Sequence, residues 1–296
     1  MFEGFNHHYI ITDDNVKIYY CKNFDNVEES ESVLVFNYGL ICSNYHWKYQ
    51  IPYFAKKYKI LMHDYRGHFN SSSNENITDV TFENIANDLK QVLDHAKVNK
   101  GIFLGHSMGV NVVLEYAKRN LSSVAGIIVI SGTIFPVTNV MFDSNVSEIV
   151  APILKVLMDK YPNISNTFWG NLKFIPLVPQ IIKQGGFNVK ECPDEFIQIY
   201  LSKISQLPYE MFFQLFDQLG THDIATYLEE MNVPALVMGG DQDKSIPNYM
   251  QDILYDKLPQ AQLYIIKDGS HVPQVDFPDM VNNRIDFFLQ REIFKS

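Results

Sequence analysis

The 296-residue sequence predicts an α/β fold, in which a mostly parallel central sheet is flanked by helices. Three observations predict it: short apolar runs recur along the chain, amphipathic segments separate them, and one glycine-rich turn joins a run directly to such a segment. The runs are continuous rather than alternating, which is typical of parallel strands covered on both faces. They occupy residues 33–36, 60–62, 102–104, 127–130, 235–238 and 263–266.

The segments around these runs complete the predicted sheet. Residues 9–12 and 16–20 flank a polar turn and predict an antiparallel hairpin at the N-terminus. Residues 82–95 and 110–120 predict helices, and apolar residues in the second keep the i, i+3, i+4, i+7 spacing of one helix face. Strands that alternate with helices in this way indicate right-handed crossovers.

The alternation lapses between residues 135 and 221. This segment is rich in phenylalanine, shows no clear strand, and has prolines between helical stretches. It follows the sixth predicted strand, and the chain then returns to the same sheet. We therefore expect a core formed by residues 1–134 and 222–296, with residues 135–221 inserted as a helical cap or lid.

Composition excludes several classes of protein. The 24 basic and 34 acidic residues give a net charge of -10, which is the wrong sign for binding nucleic acid and disfavours stable docking on anionic lipid. No apolar stretch approaches the roughly 18 residues that span a bilayer, and residues 1–6 do not resemble a signal peptide. Cys21, Cys42 and Cys192 have no metal-like spacing and suggest a reducing compartment or simple core residues rather than a disulfide framework. We expect a soluble, cytoplasmic protein without stable membrane insertion; the sequence leaves its oligomeric state open.

The sharpest local feature is GHSMG at residues 105–109. It fits the pattern G-x-S-x-G, follows a predicted strand and opens a predicted helix. A tight turn between strand and helix strains its central residue and exposes the hydroxyl of Ser107 at the sheet edge. Gly105 and Gly109 allow the neighbouring backbone to approach. Ser107 is the predicted nucleophile.

A serine nucleophile needs a base and a carboxylate that orients the base. His271 follows the last predicted strand, and Asp243 follows the strand at 235–238; open α/β sheets place chemistry in such loops. The chain order is thus Ser107, Asp243, His271. Asp241 is the nearest alternative to Asp243 as the acid.

Other histidines invite different assignments. His222, with Asp223, precedes the acid loop and is expected to anchor the return from the insertion. His63 and His68 fit no common zinc spacing and are interpreted as structural turn residues, so no metal site is predicted.

Together these motifs resemble the α/β-hydrolase superfamily. DYRGH at 64–68 resembles its D-x-R-G-H turn, GSH at 269–271 its histidine loop, and the segment 240–247 its acid loop, G-x-x-D-x-x-x-P. The resemblance runs from about residue 33 to the C-terminus. It implies the α/β-hydrolase fold, and its acid stands four residues before the proline, which favours Asp243 over Asp241. It implies no cofactor.

An oxyanion hole needs two backbone N–H groups. Met108 supplies the first, because it follows the nucleophile. The resemblance assigns the second to Leu40, in the loop after the third strand. Relatives usually have His-Gly there, whereas this chain has Tyr38 before Gly39, which leaves open the side chain that braces the loop.

The expected activity is hydrolysis of a carboxylic ester with an apolar acyl or aryl moiety, through an acyl-enzyme. Relatives that hydrolyse epoxides or haloalkanes have aspartate at the position of Ser107. Alternatives on the same triad are a C–C bond hydrolase, a lactonase and a thioesterase; a hydrolase-derived ligand receptor is the alternative outside catalysis. The aromatic residues of the insertion are candidates for contacts with substrate, chief among them Phe142, Trp169, Phe174 and Phe212.

Overall fold

The computed structural model describes residues 3–72, 79–136 and 146–295, with the side chains of the last range described from residue 153 onward. Eight strands form one sheet in the order β1-β2-β4-β3-β5-β6-β7-β8. The strands are β1 (Asn6–Ile11), β2 (Lys17–Lys22), β3 (Ser32–Asn37), β4 (Ile60–His63), β5 (Lys100–His106), β6 (Val124–Ile130), β7 (Ala235–Gly240) and β8 (Ala261–Ile266). Strand β2 runs antiparallel to both of its neighbours, and the pairs from β4 to β8 are parallel.

Eleven α-helices lie within the described residues. They are α1 (Gln50–Phe54), α2 (Phe82–His95), α3 (Met108–Asn120), α4 (Val146–Lys160), α5 (Pro162–Gly170), α6 (Val178–Gly186), α7 (Asp194–Ile204), α8 (Tyr209–Thr221), α9 (Tyr249–Lys257), α10 (Pro273–Asp276) and α11 (Pro278–Phe288). Short 3-10 helices occupy Asn44–Trp47, Leu121–Ser123, Leu172–Phe174 and Ala225–Glu230, and a π-helical turn occupies Leu289–Ile293. None of the helices in these ranges is long and apolar enough to cross a bilayer.

Helices cover both faces of the sheet, as continuous apolar strands require. In β3, Val33 and Val35 belong to an apolar cluster shared with α2, α3 and α9. Leu34 and Phe36 point the other way, into a cluster shared with α1 and α11. The predicted α/β-hydrolase fold, with its mostly parallel sheet, is therefore confirmed.

The regular elements described between β6 and β7 are all helical: α4 to α8, with 3-10 helices at Leu172–Phe174 and Ala225–Glu230. Side chains of α7 and α8, including Phe196 and Leu215, share an apolar cluster with Tyr38, Tyr65 and Met108 of the sheet edge. This packing places the insertion over the carboxyl ends of the central strands. The division into core and cap at residues 135 and 221 stays a prediction.

The turn after β4 is held by a buried ion pair. The Arg66 guanidinium lies 2.6 Å from Asp88 of α2 and 2.9 Å from Asp14 of the N-terminal hairpin. One side chain thus ties the turn to a helix and to the hairpin. His63 and His68 beside it are buried; burial lowers the pKa of His63 to about 3 and that of His68 to about 4.

A polar network joins the end of the insertion to α3. His222 follows α8, and its ring nitrogens lie 3.1 Å from Glu115 Oε2 and 3.0 Å from Asn111 Nδ2. Arg119 also donates to Glu115, at 2.8 and 2.9 Å. The hydrogen bond from His222, followed by that from Arg119, lowers the pKa of Glu115 to about 2.

Glu115→Gln is expected to lower the free energy of unfolding by about 1 to 3 kcal/mol at neutral pH, because it removes charge-assisted hydrogen bonds. The folded pKa lies below the ordinary value of 4.5, so the contribution is present above that pH and is lost as the pH falls towards 2. Urea unfolding at neutral pH and at about pH 3 measures this difference.

Glu83→Gln is the matched control, because Glu83 is exposed and also accepts from Arg119. Its free energy of unfolding is expected to fall by less than about 1 kcal/mol. If Glu115→Gln destabilised the protein equally at both pH values, the assignment of the pH dependence to Glu115 would be wrong.

Candidate active site

Ser107 lies at a strained turn between β5 and α3. Its φ of 54° and ψ of -123° are outside the regions that L-residues ordinarily adopt. A Cβ on Gly109 would lie 2.4 Å from the carbonyl oxygen of Asn37 at the end of β3, so only glycine fits there. The close packing of α3 against β3 therefore holds the strained turn in place.

Three predicted site residues meet at this turn. His271 Nε2 lies 3.0 Å from Ser107 Oγ, and His271 Nδ1 lies 2.9 Å from Asp243 Oδ2. The carboxylate can only accept, so Nδ1 carries the proton and Nε2 is left to accept from the serine hydroxyl. This is the arrangement in which a histidine can remove the hydroxyl proton.

The carboxylate of Asp243 is fixed by backbone donors. The N–H groups of Ser245 and Ile246 donate to Oδ1 at 2.8 and 2.9 Å, so Oδ2 is directed at His271. Asp241, the alternative acid, is exposed. The structure thus brings Asp243, and not Asp241, to the histidine.

The loops that carry acid and base touch each other directly. Gln242 N–H donates to the carbonyl oxygen of Gly269 at 2.8 Å, and a Cβ on Gly240 would lie 2.2 Å from that same oxygen. On the other side of the histidine, Asp276 accepts from the N–H and hydroxyl of Ser270 at 2.8 and 2.6 Å. No local sequence pattern indicates this role of Asp276, because the fold of the loop determines its partner.

Two further histidines lie close to His271. His106 Nε2 donates to the carbonyl oxygen of His271 at 2.8 Å, and its ring stacks on His46 with centroids 5.9 Å apart. Burial, followed by repulsion from His271, lowers the pKa of His106 well below its ordinary value and that of His46 to about 3. Both rings are therefore neutral near pH 7, and His106 holds the backbone beside the base.

Tyr38 braces the loop that carries Leu40. Its hydroxyl accepts from the N–H of Tyr65, and the hydroxyl of Tyr65 donates to the Tyr38 carbonyl oxygen, both at 2.9 Å. The two rings pack with centroids 4.1 Å apart. This reciprocal pair of hydrogen bonds identifies Tyr38, packed on Tyr65, as the side chain that braces the loop, a point that the sequence left open.

A small cavity of about 30 Å³ opens beside Ser107. Leu40 and Met108 line it together with Ser107 and His271, as expected of a site that binds a reacting carbonyl. Leu219 of α8 lines it from the insertion. The sequence did not single out Leu219, because its helix has several apolar residues and only tertiary packing shows which one reaches the cavity.

The aromatic candidates for substrate contact lie elsewhere. The indole N–H of Trp169 donates to the Leu207 carbonyl oxygen at 2.9 Å, and its ring packs on Phe212 with centroids 5.8 Å apart. Phe174 is 70% exposed. None of these three lines the cavity beside Ser107, and Phe142 lies outside the described residues. Their role in substrate binding stays a prediction.

Over residues 3–72, 79–136 and 146–295, no group of three or more His, Cys, Asp or Glu side chains is arranged to hold a metal ion. Cys21, Cys42 and Cys192 are free and buried.

Comparison with known proteins shows the family. The sequence model of the alpha/beta hydrolase fold matches residues 32–278, and this chain belongs to that family. It is 24% identical over 265 residues to mouse protein ABHD8, covering 88% of this chain and 56% of that protein. The chain thus spans little more than half the length of this relative.

Two other proteins illustrate the range of the family. Human epoxide hydrolase 4 is 25% identical over 265 residues, covering 85% of this chain and 70% of that protein. The structure of an esterase from Exiguobacterium antarcticum superposes with a TM-score of 0.73 at 19% identity, covering 95% of this chain and 98% of that one. At this identity the second likeness shows the fold alone.

Gly109→Ala is expected to lower the free energy of unfolding by about 1 to 3 kcal/mol or more, because the added methyl group collides with the backbone of Asn37. Gly170→Ala is the matched control, since a Cβ there meets nothing within 4 Å. Urea unfolding of both variants measures the contrast. Equal stability of the two variants would show that α3 and β3 do not pack as closely as described.

Proposed function

We propose that this chain is a serine hydrolase that cleaves a carboxylic ester with an apolar acyl or aryl moiety. The observation that carries the proposal is the continuous relay from Ser107 through His271 to Asp243, with distances of 3.0 and 2.9 Å. A receptor that only binds its ligand has no need of this relay.

In the proposed mechanism, His271 Nε2 accepts the proton of Ser107 as Oγ attacks the ester carbonyl carbon. The N–H groups of Leu40 and Met108 stabilise the oxyanion. His271 then protonates the leaving alcohol, and an acyl-enzyme remains on Ser107. Water attacks this ester by the same route, with His271 as the base, and releases the acid.

Asp243 acts on His271 rather than on the substrate. Its carboxylate holds the tautomer in which Nε2 can accept, and it stabilises the imidazolium that forms. His106 supports the same residue through its bond to the His271 carbonyl oxygen.

Similarity to an epoxide hydrolase makes epoxide opening the competing chemistry. Attack of Ser107 on an epoxide would form an ether, which has no carbonyl carbon for water to attack. The enzyme would be alkylated and would not turn over. A lactone is a cyclic ester and follows the proposed mechanism; thioesters and C–C bonds next to a ketone are further substrates that the same relay could attack.

The cavity suggests how substrates are selected. Apolar side chains of Leu40, Met108, Leu219 and Ile246 line it, which supports an apolar substrate moiety. A volume of about 30 Å³ holds only one or two water molecules, so a bound acyl chain requires Leu219 to move. We therefore propose that residues 135–221 form a cap whose helix α8 gates the site.

We further propose that the protein acts in the cytoplasm. Three free, buried thiols in a chain without a disulfide among its described residues support a reducing compartment.

Asp243→Asn is expected to lower kcat for p-nitrophenyl butyrate at least about a thousandfold, because the amide imposes the wrong histidine tautomer. Ser107→Ala should abolish turnover and labelling by a fluorophosphonate probe. Asp241→Asn is the control for the acid, and Ser123→Ala is the control for the serine; both should keep wild-type rates.

Three results would contradict the proposal. Turnover that survives Ser107→Ala would exclude Ser107 as the nucleophile. Steady turnover of styrene oxide without ester hydrolysis would show that the substrate is an epoxide and that the acyl-enzyme mechanism is wrong. A single burst of product without turnover would indicate a receptor.

Leu219→Ala is expected to raise kcat/KM for p-nitrophenyl butyrate relative to the acetate by about threefold or more, because it widens the cavity by several methylene groups. Leu207→Ala is the matched control: Leu207 lies in the same apolar cluster but does not line the cavity. Steady-state kinetics with both esters gives the ratio of the two kcat/KM values. An unchanged ratio in Leu219→Ala would show that Leu219 does not gate the site.

A further inference from the structure

Residues 153–157 of helix α4 expose apolar side chains over more than one full helical turn. Ile153, Leu154, Val156 and Leu157 are 47–67% exposed, and Lys155 between them is exposed as well. Five consecutive exposed residues exceed one helical turn, so this part of α4 has no buried face. A helix with so much apolar surface is ordinarily covered.

The exposed surface continues along the next helices. Tyr161 is exposed directly before α5, which contacts α4, and Ile164 and Phe168 are exposed on α5. Phe174, Leu177 and Ile181 follow as far as α6. Eleven of the nineteen large apolar residues that are exposed in the described chain lie within residues 153–189. We call the surface formed by these eleven exposed residues the cap apolar face. Such a concentration marks an interaction site.

The charge of this segment is opposite to that of the chain. Residues 153–190 contain five lysines and one aspartate, a net charge of +4, whereas the whole chain carries -10. Lys155 and Lys183 pair with Asp217 and Asp194 of the following helices, so Lys160, Lys173 and Lys190 are the lysines of this segment without an ion pair among the described residues. The remaining residues therefore carry -14. Lys160 lies over the ring of Tyr161 and Lys173 over that of Phe174, at 5.5 and 4.9 Å from the ring centroids. Lysines beside exposed apolar rings are typical of segments that bind at a lipid–water interface.

We propose that the cap apolar face docks on an anionic lipid surface. Its apolar side chains would enter the boundary between headgroups and acyl chains, while its lysines pair with anionic headgroups. The acidic remainder of the chain is screened by salt beyond about 8 to 10 Å from the surface. The docking does not depend on the chemistry proposed for Ser107.

Charge favours lipid over a second copy of the chain. A two-fold contact places the same patch of both copies together, and here it would bring Lys160, Lys173 and Lys190 of one copy towards the same lysines of the other. An anionic bilayer supplies both the apolar volume and the opposite charge.

Flotation of the full chain with phosphatidylcholine vesicles that contain phosphatidylserine tests the proposal. We expect binding to these vesicles, weaker binding to pure phosphatidylcholine, and a loss of binding as salt is raised. Ser107→Ala should bind like the wild type, which separates docking from catalysis.

Charge reversal tests the lysines. Lys160→Glu combined with Lys173→Glu should weaken binding at least about tenfold. The matched control reverses Lys56 and Lys267, which are exposed on the core, and should bind like the wild type.

Removal of apolar side chains tests the other half of the proposal. Leu157→Ser, Ile164→Ser and Phe168→Ser together should also abolish flotation, and because these side chains are exposed the fold should persist, as circular dichroism checks. Ile11→Ser with Phe287→Ser is the control, since both residues are exposed on the core.

Three outcomes would overturn the proposal: no binding to phosphatidylserine vesicles, binding that neither set of variants weakens, or a dimer in sedimentation velocity that the apolar variant dissociates. The last result would assign the cap apolar face to a second copy of the chain.

Discussion

The packing of α3 against the end of β3 is the constraint on which the site depends. Gly109 lies where any side chain would strike the carbonyl oxygen of Asn37, and this contact holds Ser107 in its strained conformation. The same approach brings the loop after β3, with Leu40, to the cavity beside the serine hydroxyl. The proposed nucleophile and the proposed oxyanion donors are thus positioned by one contact between a helix and a strand.

The fold was predictable because its signals are local. Parallel strands buried on both faces leave continuous apolar runs, and the turn at 105–109 needs glycines at fixed positions. The positions of Asp243 and His271 followed from the rule that chemistry lies at the carboxyl ends of strands. The predicted positions of the strands were therefore enough to place these two residues at the same edge of the sheet.

The remaining features depend on contacts between distant residues. The Tyr38–Tyr65 brace joins two loops whose registers no local pattern specifies. Leu219 lines the cavity, whereas the larger Trp169 and Phe212 pack on each other, because tertiary packing decides which side chains of the inserted helices reach the cavity. The net charge of the whole chain is also a poor guide to local charge. The total of -10 includes residues 153–190, which carry +4, and the exposed apolar side chains beside these lysines are visible only in the structure.

The division of labour around the cavity has an evolutionary consequence. The proposed relay residues and oxyanion donors all come from the loops of the sheet, and Leu219 is the lining residue that residues 135–221 contribute. Changes within the inserted helices can therefore alter what enters the cavity without moving the atoms that would react. Selection can reshape substrate preference and chemical machinery as separate modules, each at its own rate.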